Sequence, residues 1–184
     1  MWKKMNIINE NILKEVKQYL EKVIPEHYLD SIGIHGTEHT KRVLLLSAIL
    51  ADLNELSPAE KDILYHGAVY HDIGRTCNGV DNSHGLKSWR KIKDLGILDK
   101  EDEEFEKALE YVITNHSISD SQVKEFTRGC GNIRVKLIFE LLKDSDGLDR
   151  VRLGDLKVKY LRNEYSKELV EVAKRIYENN NNWK

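Results

Sequence analysis

The sequence has only two prolines and two cysteines among its 184 residues, and no apolar run approaches the length that spans a membrane. Cys77 and Cys130 lack the CxxC spacing of zinc and redox motifs. This favours a reducing compartment and ordinary semi-buried thiols over a disulfide scaffold. The formal net charge of −2 provides no global basic field, so nucleic acid and anionic lipid are disfavoured as partners. Any recognition of phosphate must therefore be local.

The first residues, Met1 to Asn6, lack the apolar stretch and the small-residue cleavage site of a signal peptide, which makes a cytoplasmic location the default expectation. Hydrophobic residues make up 40% and charged residues 33% of the chain, as is typical of a globular protein in water. No linker or internal repeat divides the sequence. We therefore expect one helical domain over residues 1–184, with its core over about 9–178, a frayed N-terminus and a frayed Asn-rich C-terminal tail. The sequence does not indicate an oligomeric state.

Apolar residues recur at helical spacing along most of the chain, whereas alternating strands with hairpin turns do not occur. The clearest helix start is Ser57-Pro58-Ala59-Glu60, which combines an N-cap serine, a proline at the first helical position and a glutamate three residues after the serine. This pattern predicts an all-α fold of about six to eight helices.

The other helix boundaries follow from caps and stops. Thr37 and Ser83 are predicted N-caps, and Gly96 ends the helix that follows Ser83. The helix that starts at Pro58 should end at about His71 and be followed by a loop over 74–82. The same pattern predicts further helices from Asn9 to before Pro25, from Asp102 to Asn115, from about Asn132 to near Asp144–Asp149, and from Ser166 to Glu178.

Five of the seven histidines fall at or beside these predicted helix ends: His35, His39, His71, His84 and His116. A metal site needs neutral imidazoles and carboxylates brought together from several elements. The His71-Asp72 doublet fits this need. Neighbouring residues of a helix point about 100° apart, so the two side chains can bind one ion only at the helix terminus. Gly74 is expected to let the chain turn there through backbone angles closed to other residues.

Three segments together resemble the HD-domain phosphohydrolase superfamily over roughly residues 34–153: His39, the stretch His71-Asp72-Ile73-Gly74, and the stretch Lys143-Asp144-Ser145-Asp146-Gly147-Leu148-Asp149. The resemblance implies that one divalent ion is bound by an early His, the His-Asp doublet and a late Asp. These roles map onto His39, His71, Asp72 and Asp146. Asp146 is chosen because Ser145-Asp146-Gly147-Leu148 fits the late motif better than a frame placed on Asp144. A role for Asp144 in holding a metal ligand in place stays open.

The stretches Asn82-Ser83-His84-Gly85 and Asn115-His116-Ser117 resemble segments of a bacterial branch of small stand-alone HD hydrolases that act on nucleotides. HD proteins with two ions commonly carry a doubled His where this chain has Asn115-His116, so one ion is expected. His84 and His116 are then expected to face the substrate, where they protonate the leaving oxygen or bind phosphate. The chain lacks the Gly-Tyr-Pro signature of the cyclic-dinucleotide phosphodiesterases, which disfavours that subfamily.

Two imidazoles and two carboxylates form a mixed ligand set that favours Mn²⁺ or Fe²⁺, with Co²⁺, Ni²⁺, Zn²⁺ and Mg²⁺ as alternatives. Such an ion activates a bound water and polarises a phosphoryl oxygen. Arg75, directly after the doublet, is expected to clamp a phosphate. We therefore assign catalytic roles to Asp72, His84, His116 and Arg75. His35 either touches the substrate or bonds a loop carbonyl, and the weaker phosphate-binding candidates are Lys87, Arg150 and Arg152.

These expectations converge on a metal-dependent phosphohydrolase that cleaves a phosphoester or phosphoanhydride bond of a nucleotide or a similar small phosphorylated metabolite. Two alternatives stay open at this point. One is a nuclease or cyclic-nucleotide phosphodiesterase built on the same site, for which a basic channel or two ions would speak. The other is a non-catalytic sensor that binds a nucleotide through a degenerate site.

Overall fold

The computed structural model describes residues 7–98, 102–127, 129 and 131–179 of the chain. These residues form α-helices, short 3₁₀ turns and loops, without any β-strand. The all-α fold predicted from the sequence is confirmed. The two ends that were expected to fray, 1–6 and 180–184, lie outside the described residues. The eight α-helices of the described part are α1 (Glu10–Leu20), α2 (Thr37–Leu53), α3 (Pro58–Tyr70), α4 (His84–Asp94), α5 (Glu103–Asn115), α6 (Val135–Asp149), α7 (Glu164–Glu168) and α8 (Val170–Glu178).

The predicted helix starts hold to different degrees. The capping box of α3 is present, because the Ser57 hydroxyl accepts from the Glu60 amide and the Glu60 carboxylate accepts from the Ser57 amide. Thr37 is wrong as an N-cap: it is the first residue of α2, and its hydroxyl donates to the Ser31 carbonyl. Ser83 occupies the cap position of α4 but makes no capping bond: its hydroxyl donates to Asp81, and its backbone angles are helical rather than extended. Each hydroxyl is thus oriented toward a nearby loop acceptor instead of toward the first amides of its helix.

The helix ends were easier to predict than the starts. Gly96 follows α4 with a φ of 63°, a left-handed conformation that favours glycine. α3 ends at Tyr70 with His71 as its C-cap, as expected. The helix expected from Asn132 begins only at Val135. The last predicted helix is divided at Leu169 into α7 and α8.

α2 and α3 form the centre of the structure, and both are buried on most of their surface. α2 packs against α1, α3 and α6, while α5 packs against α3, α4 and α6. One cluster of buried apolar side chains extends from Ile12 to Ile176. A helix that is apolar on nearly all sides must be surrounded by others. This arrangement brings the first turn of α2, the start of α4 and the ends of α3, α5 and α6 to one place.

Two further sequence expectations concern the membrane and the cysteines. None of the helices in the described ranges combines the length and the apolarity needed to cross a bilayer. Cys77 is a free and exposed thiol, so the expectation of a semi-buried cysteine is wrong at this position. Its loop, between α3 and α4, offers no apolar cover. Cys130 lies outside the described residues.

Candidate metal centre

The His71-Asp72 doublet lies where α3 ends, and its backbone is held by α4. Ser88 donates its hydroxyl to the His71 carbonyl at 2.6 Å and accepts from the Gly74 amide at 2.9 Å. A Cβ atom at Gly74 would lie 2.0 Å from the Ser88 nitrogen. Gly74 is therefore needed for the close approach of α4. The expected reason, a backbone angle closed to other residues, is wrong, because Gly74 does not have a positive φ.

His39 reaches the doublet from the first turn of α2. Its Nε2 atom lies 3.2 Å from His71 Nε2 and 3.6 Å from an Asp72 carboxylate oxygen. The other ring nitrogen, Nδ1, lies 2.7 Å from a carboxylate oxygen of Asp149. Both imidazoles are buried. The fold thus brings together two histidines and a carboxylate from two helices, as the sequence analysis expected.

Asp146 and Asp144 lie two residues apart on α6 and point to different sides of that helix, because two helical residues are rotated by about 200°. An Asp146 carboxylate oxygen lies 3.4 Å from His39 Nε2. Asp144 is buried on the other side, where it accepts from the Arg162 and Asn163 amides and from the Arg162 guanidinium. Asp146 therefore faces the histidines, whereas Asp144 anchors the chain that precedes α7. This geometry does not support a role for Asp144 in holding a metal ligand in place.

The hydrogen bonds of the two imidazoles determine which atoms face the centre. His71 Nδ1 lies 2.8 Å from the Ala68 carbonyl, which can only accept, so Nδ1 carries the proton. His39 Nδ1 likewise donates to the Asp149 carboxylate. In the neutral rings, both Nε2 atoms then present lone pairs to each other and to the oxygens of Asp72 and Asp146. With both rings neutral, four acceptors converge, which is the arrangement that a bound cation stabilises.

The pKa values of these groups agree with that conclusion. Burial lowers the pKa of His71 to about 3, so its ring is neutral at pH 7. Burial works against ionisation of Asp72, but the neighbouring His71 and further histidines hold the pKa of its carboxyl well below the usual range. Burial also opposes the His39 cation, yet bonds to Asp149 and Asp72 raise the pKa of that ring. The centre therefore favours positive charge at His39 Nε2, where a metal ion would replace a proton.

The donor set matches a divalent ion in charge as well as in type. Asp72 and Asp146 contribute two negative charges, and the two imidazoles contribute none. Asp72 is fully buried, whereas 38% of the Asp146 side chain is exposed. An ion held by these residues would keep one side open toward Asp146. Two imidazoles, two carboxylates and an open side are the features of a catalytic metal site rather than a structural one.

A second group of possible ligands lies on the other side of Asp72. His84 Nε2 is 2.8 Å from His116 Nε2 and 3.1 Å from the second carboxylate oxygen of Asp72, while His116 Nε2 is 3.8 Å from that oxygen. The Nδ1 atoms face the carbonyls of Asp81 and Ile113, which fixes the same ring orientation as in the first pair. His39, His71 and Asp146 form one ligand group of suitable spacing, and Asp72, His84 and His116 form another.

The expectation of a single ion rested on Asn115, and the structure removes that particular argument. The Asn115 amide is turned away from the centre and donates to the Tyr111 carbonyl at 2.8 Å. Two single histidines from two helix ends, His84 and His116, provide what a doubled histidine would provide. The start of α4 approaches the end of α5 closely, because a Cβ at Gly85 would lie 2.5 Å from the Ile113 carbonyl oxygen. The number of ions must therefore be argued from charge.

Arg75 and His35 both contact Asp72. Arg75 Nε lies 2.8 Å from the Asp72 oxygen that faces His84, and its guanidinium also bonds the Gly79 carbonyl. His35 Nδ1 lies 2.9 Å from the other carboxylate oxygen of Asp72. The bond from His35 to a loop carbonyl, which was one of its two expected roles, is therefore not formed by this nitrogen. The side chains are 11% and 17% exposed. Asp72 is thus surrounded on both oxygens by cationic or ring nitrogen groups.

Sequence reasoning missed the residues that hold His39 in place. The Asp149 carboxylate accepts from His39 and also from Arg42, at 2.6 and 3.1 Å. Arg152, a weak phosphate-binding candidate, instead donates to Asp149 at 3.1 Å and is almost fully buried. The sequence spacing could have indicated these residues. Arg42 follows His39 by three residues and Asp149 follows Asp146 by three, so each pair lies on one face of its helix.

The other two weak candidates differ from each other. The Lys87 ammonium binds the Asp81 carboxylate at 2.8 Å and the Thr76 hydroxyl, so it stabilises the loop before α4. Arg150 lines a cavity that also reaches Asp146 and His116. Lys87 is therefore engaged within its own loop, whereas Arg150 borders the open side of the centre.

Comparison with known proteins identifies the family of this chain. The family model described as "HD domain" matches residues 36–183, which include all four expected metal ligands and both histidines of the second group. No curated protein and no solved structure matches the chain significantly. The chain therefore belongs to the HD domain family, an all-helical family whose members bind divalent metals and are in general metal-dependent phosphohydrolases.

Proposed function

We propose that this protein is a metal-dependent phosphohydrolase that cleaves a phosphoester or phosphoanhydride bond of a nucleotide or a similar small phosphorylated metabolite. The observation that carries the proposal is the convergence of His39 Nε2, His71 Nε2 and the carboxylates of Asp72 and Asp146. Structural metal sites are closed on all sides, whereas this one is open at Asp146. The open side is where a substrate would reach the ion.

The four ligands would be His39, His71, Asp72 and Asp146. When bound, the ion supplies an activated water and polarises a phosphoryl oxygen. The chain itself fixes the geometry of the ligands: the Ala68 carbonyl orients His71, and the Asp149 carboxylate orients His39. Because burial keeps His71 neutral at pH 7, this ring needs no deprotonation before it binds an ion. Mn²⁺ and Fe²⁺ suit such a mixed nitrogen and oxygen set.

His84, His116 and Arg75 would act on the substrate. The Nε2 atoms of His84 and His116 lie 2.8 Å apart and can share one proton, which either ring can donate to a leaving oxygen. Both rings are buried, so water does not compete freely for that proton. Arg75, in contact with Asp72, places a guanidinium beside the same rings, where it can bind a phosphoryl oxygen.

We propose one ion rather than two on grounds of charge. The two negative charges of Asp72 and Asp146 balance one divalent ion, while Asp149 is already neutralised by Arg42 and Arg152. A second ion at His84 and His116 would share only Asp72, and it would lie next to the Arg75 guanidinium. Repulsion from a fixed cation weakens the binding of a second dication. A two-ion enzyme is the second candidate, because Asp72, His84 and His116 have ligand spacing.

The test is a panel of nucleoside mono-, di- and triphosphates with added Mn²⁺, assayed for release of phosphate and pyrophosphate. We expect turnover of at least one compound, and loss of turnover by about 10² to 10⁴-fold in His116→Ala with the ion retained. Asn115→Ala is the matched control, since its side chain is turned away from the centre. If no compound turns over while one still raises the melting temperature, the protein is a nucleotide sensor and the proposal fails.

A further inference from the structure

A cavity of about 340 Å³ opens beside His116 and Asp146. Its other walls come from the C-terminal half of α6 and from residues 155–162, which precede α7. Binding sites for small molecules begin at about 300 Å³. The cavity can therefore hold the part of a small substrate that extends beyond a reacting group at the metal centre.

One wall of this cavity is a single face of α6. Lys143, Asp146 and Arg150 follow one another at spacings of three and four residues, which places them in one row. Arg150 lies about 6 Å further along the helix axis than Asp146, given the rise per residue. Gly147 also lines the cavity and adds no side chain to the wall. A group bound at Asp146 thus has room to extend toward Arg150.

Two of the cations in the cavity wall are engaged by the protein's own carboxylates. The Lys143 ammonium binds Asp120 at 2.7 Å and the Ile118 carbonyl at 2.6 Å. The Arg162 guanidinium binds Asp120 at 2.8 Å and Asp144 at 3.1 Å. These bonds hold the segment after α5 and the segment before α7 against α6. Lys143 and Arg162 therefore shape the cavity rather than bind a ligand's charge.

The other two cations are available to an anion. Among the described residues Arg150 pairs with Asp155 alone. The two side chains are 48% and 49% exposed, so this ion pair contributes little and can be exchanged. Lys157 is exposed and has no ion-pair partner within the described part of the chain. The outer part of the cavity thus offers a guanidinium and an ammonium that no protein carboxylate holds firmly.

We infer that Arg150 and Lys157 form a binding site for a second phosphate group of the substrate, so that the protein selects a nucleoside diphosphate or triphosphate over a monophosphate. The inference rests on the proposed function for the position of the reacting phosphate at Asp146. The remaining phosphate would lie in the cavity, where a guanidinium can bind it through two parallel hydrogen bonds. This assignment names the substrate as a phosphoanhydride rather than a simple phosphate monoester.

The test is calorimetric binding of α,β-methylene-ADP and of AMP to the Mn²⁺-loaded protein, with both compounds verified intact afterwards. We expect the diphosphate analogue to bind about tenfold more tightly than AMP. Lys157→Ala and Arg150→Ala should each weaken the analogue by about tenfold and change AMP by less than about twofold. Lys167→Ala is the control and should change neither; Lys167 is a half-buried lysine of α7 that pairs with Glu164.

Equal affinity of the native protein for the two compounds would overturn the inference, and so would an equal loss for both compounds in the two variants. Thermal melts verify that each variant is folded, which the exposure of both side chains leads us to expect. Selective binding of the analogue without turnover of any nucleotide would refute the proposed function and leave this site standing. Turnover that is unchanged in Lys157→Ala and Arg150→Ala, without selective binding, would refute the site alone.

Discussion

Asp146 and Asp144 lie two residues apart on α6, yet their surroundings are opposite in kind. Around Asp144 every partner is a donor: two backbone amides and one guanidinium converge on a single buried carboxylate. Asp146 instead faces His39 Nε2 at 3.4 Å and forms one possible ligand group with His39 and His71, whose Nε2 atoms are acceptors when the rings are neutral. Buried polar groups normally find partners within the protein. The comparison teaches that, among the described residues, the candidate metal centre leaves the Asp146 carboxylate without the donors that satisfy Asp144.

Asp149, like Asp144, is surrounded by donors, but it also positions a residue that faces Asp146. It accepts from Arg42 and Arg152, so its own hydrogen-bonding capacity is satisfied, and it also orients His39. The other nitrogen of His39 belongs to the acceptor cluster, which we define as His39 Nε2, His71 Nε2 and the carboxylates of Asp72 and Asp146. Such carboxylates behind a ligand fix the ring and its proton. The two environments are thus connected through one imidazole.

The largest effect is expected from Asp72→Ala. Asp72 contacts His39 with one carboxylate oxygen and His84 with the other, so its loss removes a ligand and one of the links between the two histidine pairs. Phosphate release from the best nucleotide of the panel should fall below detection, while Asp144→Ala should retain activity per folded molecule. Full activity in Asp72→Ala would show that the acceptor cluster is not the active centre.

Asp144→Ala should instead affect stability. It leaves the Arg162 guanidinium with Asp120 and the Tyr160 carbonyl, and it leaves the Arg162 and Asn163 amides without their acceptor. Removal of one partner of a buried pair costs about 3 kcal/mol. Urea unfolding monitored by circular dichroism measures the change. A loss of metal without a loss of stability would reverse the roles assigned to the two aspartates.

Asp149→Asn sharpens the comparison, because it changes a satisfied carboxylate next to the acceptor cluster. The loss of charge behind His39 should weaken metal binding by about 10 to 100-fold. Competition titration against a chelating indicator measures the affinity. An unchanged affinity would mean that Asp149 only joins α6 to α2 through Arg42.

The smallest effect concerns a carboxylate far from the centre. Arg134 holds the pKa of the buried Glu60 carboxyl at about 2, below its usual value of 4.5. Because the folded value is the lower one, this stabilisation is present above about pH 4.5 and is lost as the pH falls toward 2. Glu60→Gln should cost about 2 kcal/mol at pH 7 and less than that at pH 3. Urea midpoints at both pH values measure it; an equal cost would exclude the ionic origin.

Local signals in the sequence predicted most of the helices, and the resemblance to HD proteins named the residues that the fold brings together. The capping box at Ser57 and the glycine at Gly96 are short-range features, and both behave as their local chemistry requires. Thr37 failed as a cap because the helix starts one residue earlier than expected relative to it, and Ser83 because its backbone is helical; loop acceptors, Ser31 and Asp81, orient the two hydroxyls. Sequence spacing alone cannot rank such acceptors, since each depends on the path of a loop.

The sequence analysis named the residues that meet at the candidate metal centre, but it did not give the hydrogen bonds and contacts that join them. The frame on Asp146 came from a motif, and the geometry agrees because Asp144 faces Arg162 instead. The contact between His84 and His116 depends on the packing of α4 against α5, which the sequence does not encode locally. The bond from Arg42 to Asp149 joins residues that are 107 positions apart in the sequence. The bond from Arg152 to Asp149 joins residues that are three positions apart.

Metal analysis of protein purified without chelator, performed on the native chain, Asp146→Ala and Asp144→Ala, tests the central claim most directly. We predict one divalent ion per native chain, the same content in folded Asp144→Ala, and loss of the ion in Asp146→Ala. Two ions per native chain would contradict the charge argument for a single ion. An unchanged ion content in Asp146→Ala would contradict the assignment of the centre itself.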